Sequence, residues 1–443
     1  MPEPIVPRLG VCHRPDGAAN LREVYVASQG VCEVVMLVRA AVAAAHPDVM
    51  RVAERFFECH LLPERGYGEL VASLGLRGVT TFHDDELELA DELHAAVTAP
   101  ASAAVSPAVS SAVPSVVSDA WDKLVQRRLL KEHGLTQVEA VPVEGPEDLV
   151  AGFAALGRPC VLKPRRAAGG QGVAFLDDER DVRRQLGLRH GWAGLMLETR
   201  IDPAPHPTGP GWLGSLVSVE TLSTRDGRVH LGVLDKLPVA VTRGAGAAGA
   251  DAVNVQGDIL PSCLPEEQCR AAEEYTGRVL GALGVRSRLT HTELLLTAAG
   301  FELLEVNGRL AGHTARLFRL LDGPDLVAMA LRVAAGEVPE PGSAALRGAA
   351  AGVFPTFADR AGPVRTSLRR RELRGLPGVC AVDELAEDGT PKSATQFRMA
   401  NVTLRAGDRP ALDAAVAGLL RVLEQEMGAE MGAGLGAEMG AER

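Results

Sequence analysis

Aromatic side chains are scarce in this 443-residue chain, with three Trp, three Tyr and ten Phe, 4% in all. So few rings argue against a base-stacking platform or an aromatic ligand cage. A basic excess is also missing. Lys+Arg is 46 against 57 Asp+Glu, a formal net charge of −11, whereas a general nucleic-acid binder presents a basic face. No apolar run reaches membrane length. The best stretch, Val31 to Ala45, is broken by Glu33 and Arg39, so no transmembrane helix is expected. Met1-Pro2-Glu3-Pro4 lacks the basic start and apolar block of a secretory signal. Seven cysteines without a C-x-x-C pair read as reduced, mostly buried thiols of a cytoplasmic protein. Lysine is nearly absent too: Lys123, Lys131, Lys163, Lys236 and Lys392 are the five among 46 basic residues. Arginine fills the ordinary surface, so each lysine marks a place where a compact ammonium was kept.

What the chain does contain is ample core. Apolar residues make up 46% and charged residues 23%, enough for about three domains at roughly 150 residues each. Residues 1 to 97 follow strand–helix–strand grammar. Glu33 to Val38 and Gly78 to Phe82 read as buried strands, and Asp84-Asp85 starts an amphipathic helix over Leu87 to Val97, as in a small parallel sheet. Neither strand is followed by G-x-G-x-x-G, which argues against a dinucleotide site there. From Thr98 to Ser118 the composition collapses to Ala, Ser, Val and Pro, the signature of a connector. Glu426 to Arg443 repeats Glu-Met-Gly-Ala and Gly-Ala-Glu and reads as a tail. Between these, Asp119 to His133 is an expected helix, Pro159 to Lys163 and Val173 to Leu176 are strands around a glycine loop, and Leu195 to Glu198 is a further strand. Ser215 to Leu222 pairs with Val229 to Leu234, and Glu266 to Leu283 is a long helix. Near the end, Val353 to Phe357 and Phe397 to Leu404 are strand-like and Pro410 to Glu426 is helical.

The strongest chemical signal is the hairpin Leu289 to Asn307. With Ala298-Ala299-Gly300 as a three-residue loop, Glu293 falls opposite Glu305. The two-residue strand repeat then puts Glu305, Asn307 and Arg309 on one face. Opposed carboxylates repel, so a purely structural sheet avoids them. Two carboxylates and an amide oxygen are hard ligands suited to Mg²⁺, which cancels the repulsion. Arg309 beside them can grip a phosphate oxygen. The bland alternative is a solvated sheet face with accidental acids.

The glycine loop, Ala167-Ala168-Gly169-Gly170-Gln171-Gly172, follows Lys163-Pro164. Strand, lysine, glycine loop, strand suits a flap whose backbone N–H groups cover a polyphosphate, with Lys163 reaching its oxygens. It is not a Walker A loop, since no Gly-Lys-[Ser/Thr] occurs in the chain. Lys123 opens the helix after Trp121, and Lys236 ends a strand. Three of five lysines thus sit where a phosphate charge is expected.

These segments resemble the ATP-grasp carboxylate–amine ligases over about residues 120 to 315. The resemblance rests on Trp121-Asp122-Lys123, on Val161-Leu162-Lys163-Pro164 with its loop, and on Leu195-Met196-Leu197-Glu198, similar to a hinge that carries adenine through backbone bonds and a Glu. Ser218-Val219-Glu220 and the pair Glu293 … Glu305-Val306-Asn307-Gly308-Arg309 complete it. Spacing is most similar to bacterial L-amino-acid ligases and natural-product peptide ligases. The resemblance implies an α/β and α+β fold: a parallel-sheet N-terminal domain (1–115, with the connector), a two-subdomain ATP-grasp body (116–340) and a C-terminal closing domain (341–443, with the tail). It also implies ATP and one or two Mg²⁺, with Mn²⁺ able to substitute. Its site assignment is Glu293, Glu305 and Asn307 for metal, Lys123, Lys163, Gly169, Gly170, Gly172, Glu198 and Lys236 for nucleotide, and Arg309 with Lys163 for catalysis. Glu220, Gly312 and His313 are candidates for the substrate, with His291 as a further polar wall and Val241 to Ala250 as a lid or pocket segment. Two features depart from the family. Leu216 stands where a polar residue often holds ribose, leaving Asp202 as a substitute, and a four-proline insert runs from Asp202 to Gly214.

The implied reaction joins a carboxylate, activated as an acyl phosphate, to an amine, both small molecules and expected to be amino acids. Neither nucleic acid nor membrane is an expected partner, and similar enzymes are commonly homodimers. Two other readings stand beside it: a carboxylase activating bicarbonate, and a non-catalytic nucleotide-binding module.

Overall fold

Continuous aliphatic runs such as Val34 to Val38 leave no polar face, which suits strands covered on both sides. In the computed structural model they form a fully parallel sheet of β1 (Arg8–Cys12), β2 (Glu33–Arg39), β3 (Glu58–Leu62) and β4 (Gly78–Thr81), in the order β3-β2-β1-β4. The structure describes residues 6–63, 66–98, 118–157, 159–167, 169–246, 249–340, 346–357, 361–395 and 397–427. Residues 99–117 of the expected connector and 428–443 of the expected tail lie outside them. After β4 the chain makes a 3-10 turn at Asp84–Glu86 and enters helix Leu87–Thr98, as read from the sequence.

The expected helix over 119–133 is split. Ser118–Trp121 forms a 3-10 turn, and the α-helix runs Lys123–Glu132. Asp122 makes the break because its carboxylate caps the helix, accepting from the Leu124 and Val125 amides at 2.9 and 3.3 Å. A second, antiparallel sheet follows: β5 (Ala140–Val143), β6 (Cys160–Pro164), β7 (Ala174–Leu176) and β8 (Leu195–Thr199), in the order β5-β8-β6-β7.

The remaining strands are β9 (Leu216–Ser223), β10 (Arg228–Lys236), β11 (Ala240–Thr242), β12 (Ala252–Asn254), β13 (Gly257–Leu260), β14 (Arg288–Thr297), β15 (Gly300–Asn307), β16 (Ala349–Val353), β17 (Val379–Leu385) and β18 (Ala400–Ala406). Eight of them make one antiparallel sheet, β15-β14-β9-β10-β13-β16-β18-β17, and β11 pairs with β12 as a separate hairpin. Residues beyond 341 therefore extend the same sheet edge to edge. β16 lies upstream of the strand expected at Val353 to Phe357, because Pro355 has no N–H to give a ladder.

Helix Glu266–Ala282 covers the β9–β14–β15 part of this sheet with Ala272, Tyr275, Val279 and Leu280. Helix Arg409–Met427 covers the β16–β18 part with Leu412, Val416, Leu419 and Leu423. Helices Thr314–Leu320 and Leu326–Ala334 lie between the large sheet and the N-terminal sheet. Leu222, Leu234, Phe318 and Leu331 share one core with Leu9, Val34 and Met36. Among the described residues no helix is long and apolar enough to cross a membrane.

Candidate functional site

The β14–β15 hairpin sets Glu293 opposite Glu305, the register read from the sequence, but by another route. The turn is Ala298-Ala299, with Gly300 already paired to Thr297 at φ +116°. That shorter turn alone would place Glu293 against Leu304. A β-bulge at Leu304 restores the Glu293–Glu305 pairing.

Cations flank both acids. Lys123 Nζ lies 3.0 Å from Glu305 Oε2 and donates to the Ala167 carbonyl at 2.7 Å, joining the hairpin to the glycine loop. Lys236 Nζ, on β10, is bound to Asp258 on β13 and lies 3.7 Å from Glu293 Oε1. Asn307 Nδ2 donates to Glu305 Oε1 at 3.2 Å, which leaves its carbonyl oxygen without a partner among the described residues. Two carboxylates and that amide oxygen form the hard donor set a divalent cation requires.

Where the hairpin meets β9, His291 pairs with Glu220 across β14 and β9 and donates toward Glu293 Oε1 at 3.2 Å. Burial opposes protonation of His291, but the Glu220 carboxylate outweighs it and holds the imidazolium up to about 9. Burial likewise opposes the charge on Glu293, and His291 with Lys236 overcomes it, bringing that carboxyl down to about 2. Glu220 is fully buried and does not line the cavity, so the expectation that it orients a substrate is corrected. It acts on the site through His291.

On the small sheet, Lys163 Nζ bonds Glu198 Oε1 at 2.6 Å, and Arg127 Nε bonds Glu198 Oε2 at 2.8 Å. Arg127 also donates to the Leu303 carbonyl at 2.6 Å, fastening the small sheet to β15. Glu198 is buried, yet the two cations override burial and hold its carboxyl at about 2. Both of its oxygens are taken, so a base contact made by this carboxylate is not available. β8 is itself paired on both sides, by β5 and β6, and the residues just past its end, Arg200 and Ile201, line the cavity.

Lys123, Lys163, Lys236, Glu293, Glu305 and Asn307 line one cavity of about 520 Å³. Val161, Phe175, Ile201 and Leu216 give it an apolar wall near the small sheet, while Asp258, His313, Phe354 and Arg398 line it on the β13–β16 side. Gly169 and Gly170 line it as well. Gly170 has φ +69°, and a Cβ there would stand 2.5 Å from the Val253 carbonyl, so β12 lies directly over the loop. Gly172 packs on Pro164 instead and is not a lining residue. Arg309 lines the cavity and is bound to Asp84, at the strand-end loop of the N-terminal sheet. Gly312 and His313 both reach the cavity. Leu216 contributes only apolar surface, and Asp202 is exposed and not a lining residue. The proline-rich insert is pinned behind the sheet, with His206 3.2 Å from Asp235 and the Thr208 hydroxyl 2.7 Å from the Cys263 carbonyl. Of Val241 to Ala250, the described part is held to the small sheet by Arg243, which binds Asp177 and the Phe175 carbonyl. Residues 247 and 248 lie outside the described residues.

Sequence reasoning missed Arg127, Asp258 and Asp84. Arg127 follows Lys123 by one helical turn and so shares its face, a signal that was present. Asp258, an acid directly before the apolar pair Ile259-Leu260, carried a weaker one.

No family model matches the chain. Carnosine synthase 1 of Gallus gallus is 29% identical over 226 residues, 49% of this chain and 24% of that protein. Carnosine synthase 1 of Homo sapiens is 26% identical over 321 residues, 70% of this chain and 37% of that protein. The chain thus spans well under half the length of these two relatives. Among solved structures, the L-amino acid ligase of Bacillus licheniformis matches with TM-score 0.65 and 17% identity, over 95% of this chain and 97% of that one. A carboxyaminoimidazole ribonucleotide synthase of Aspergillus clavatus, complexed with ATP, matches with TM-score 0.64 and 14% identity, over 95% and 99%.

Proposed function

We propose that this chain, whose fold is that of the ATP-grasp ligases, is an ATP-dependent carboxylate–amine ligase that forms an amide or peptide bond and releases ADP and phosphate. The observation that carries the reading is the opposed pair Glu293 and Glu305, with Lys123 against one and Lys236 near the other, in a single cavity that also holds Lys163. Lys123, Lys236 and His291 offset part of the repulsion between the two acids, and a divalent cation between them would offset the rest. Glu293, Glu305 and Asn307 would hold one or two Mg²⁺, for which Mn²⁺ can substitute, supplying positive charge against the triphosphate.

Activation is needed because a carboxylate is a poor electrophile. Its oxygen attacks the γ-phosphate, giving an acyl phosphate and ADP, and an amine then displaces phosphate. Charge develops on phosphate oxygens, so the protein's part is positioning and electrostatic stabilisation. Lys123 and Lys163 would steady the phosphates with the backbone of Gly169 and Gly170, and the apolar wall of Val161, Phe175 and Leu216 would receive the base. Arg309, turning from Asp84, would grip the transferred phosphoryl oxygens with its planar fork. Small-molecule amino-acid substrates are supported by the names of the relatives, carnosine synthase and L-amino acid ligase.

A carboxylase is the second reading, favoured by the comparable TM-score to the carboxyaminoimidazole ribonucleotide synthase. Incubation with ATP, Mg²⁺ and pooled amino acids, followed by phosphate assay and product mass, separates the two. Amino-acid-dependent phosphate release with a condensed product supports the ligase. Phosphate release that needs bicarbonate supports the carboxylase, and ATP binding without turnover rejects both.

A further inference from the structure

The second half of the proposed reaction raises a proton problem. An amino group is largely ammonium at neutral pH and has no lone pair to attack with. Forming the C–N bond and breaking the bond from carbon to the phosphate oxygen requires the ammonium to lose two protons. One departs on phosphate, which leaves as HPO₄²⁻. The other needs an acceptor on the protein.

Most ionisable groups lining the cavity are already committed. Glu198 is bound by Lys163 and Arg127, Asp258 is bound by Lys236, and Glu293 and Glu305 are assigned to the cation. His291 is engaged by Glu220 and Glu293. His313 differs from all of these. It lines the cavity on the β13–β16 side, and neither ring nitrogen has a hydrogen-bond partner among the described residues. Its ring is fixed by stacking on Phe354, with centroids 4.4 Å apart and planes at 21°. We propose that His313 is the general base that takes this proton from the amine substrate as it attacks the acyl phosphate, an assignment that rests on the ligase reading.

The surroundings keep that base free. The charged groups facing His313 are Asp258 from β13, Lys236 from β10, Arg316 from its own helix and Arg398 from the segment before β18. One is negative and three are positive. Burial is the largest influence and lowers the pKa of His313 from its ordinary value, with Asp258 opposing. The imidazole is therefore neutral, and its position is set by packing rather than by a hydrogen bond that would occupy the accepting nitrogen. Proton transfer by a positioned side chain contributes about 10²–10⁴-fold.

The test compares two nucleophiles in wild type and His313→Asn, each given ATP, Mg²⁺ and pooled amino acids. Hydroxylamine is already uncharged at neutral pH and captures an acyl phosphate as hydroxamate without a base. The variant is expected to lose about 10²-fold or more in amide formation relative to its hydroxamate formation, and to regain amide formation as pH rises and free amine becomes abundant. Equal losses in both products, with a pH profile like the wild type's, overturn the assignment, as does unaltered amide formation. Hydroxamate production by the variant also reports that it is folded. A wild type that makes no hydroxamate with any amino acid overturns the ligase reading and this assignment with it, so the two failures are distinguishable.

Discussion

Replacing Glu220 by glutamine keeps an oxygen opposite His291 Nδ1 and removes the main charge that holds the imidazole protonated, leaving Glu293 3.2 Å from Nε2 as the lesser one. Both residues are buried, and no other carboxylate contacts Nδ1. His291 rises from an ordinary 6.5 to about 9 in the folded protein, and at roughly 1.4 kcal/mol per pH unit this corresponds to about 3 kcal/mol of stability. The folded pKa lies above the unfolded one, so the contribution is fully present below pH 6.5 and is lost as pH rises through about 9. Urea denaturation of wild type and Glu220→Gln, repeated from pH 6 to pH 10, reads this directly. The stability difference between the two proteins should be at most about 3 kcal/mol near pH 6, since Glu293 keeps part of the shift in the variant, and should shrink strongly by pH 10. Other titrating groups act on both proteins and cancel in the difference. A difference independent of pH would refute the reasoning and mean that His291 is not charged in the folded state.

Two further outcomes are expected. Glu305→Ala or Arg309→Ala should abolish amino-acid-dependent ADP release with the protein still folded by circular dichroism; near-normal turnover in both would overturn the site assignment. Arg127→Met leaves one Glu198 oxygen and the Leu303 carbonyl unpaired in the interior, so it should cost about 3–5 kcal/mol in urea denaturation, whereas a surface arginine would cost under about 1 kcal/mol.

The parts of this site that could be read from the sequence are those fixed within a few residues. The two strands of the hairpin were legible from their periodicity, but the Glu293–Glu305 pairing was reached through a three-residue loop, where the structure has a two-residue turn and a bulge at Leu304 that local pattern does not encode. Its two acids were conspicuous because like charges across a ladder need a reason. The scarcity of lysine singled out Lys123, Lys163 and Lys236. What could not be read is set by contacts between distant segments. Arg127 meets Glu198 across 71 positions and Arg309 meets Asp84 across 225, and no local pattern encodes either. Glu198 therefore looked free to hold a base when it is already saturated. Glu220 looked like a substrate residue because its motif named it, and only the pairing of β9 alongside β14 turned it into the support of His291. The edge-to-edge joining of β13 to β16 was equally silent, since any short aliphatic strand could fill that place.

The most direct test of the central claim is calorimetric titration of ATP into the protein with and without Mg²⁺, for wild type and the Glu293→Gln, Glu305→Gln double variant. If the opposed acids hold a cation against the triphosphate, the wild type binds ATP tightly only with Mg²⁺, and the double variant loses that dependence. ATP affinity that ignores Mg²⁺ in the wild type, or a Mg²⁺ dependence that survives in the double variant, would contradict the account.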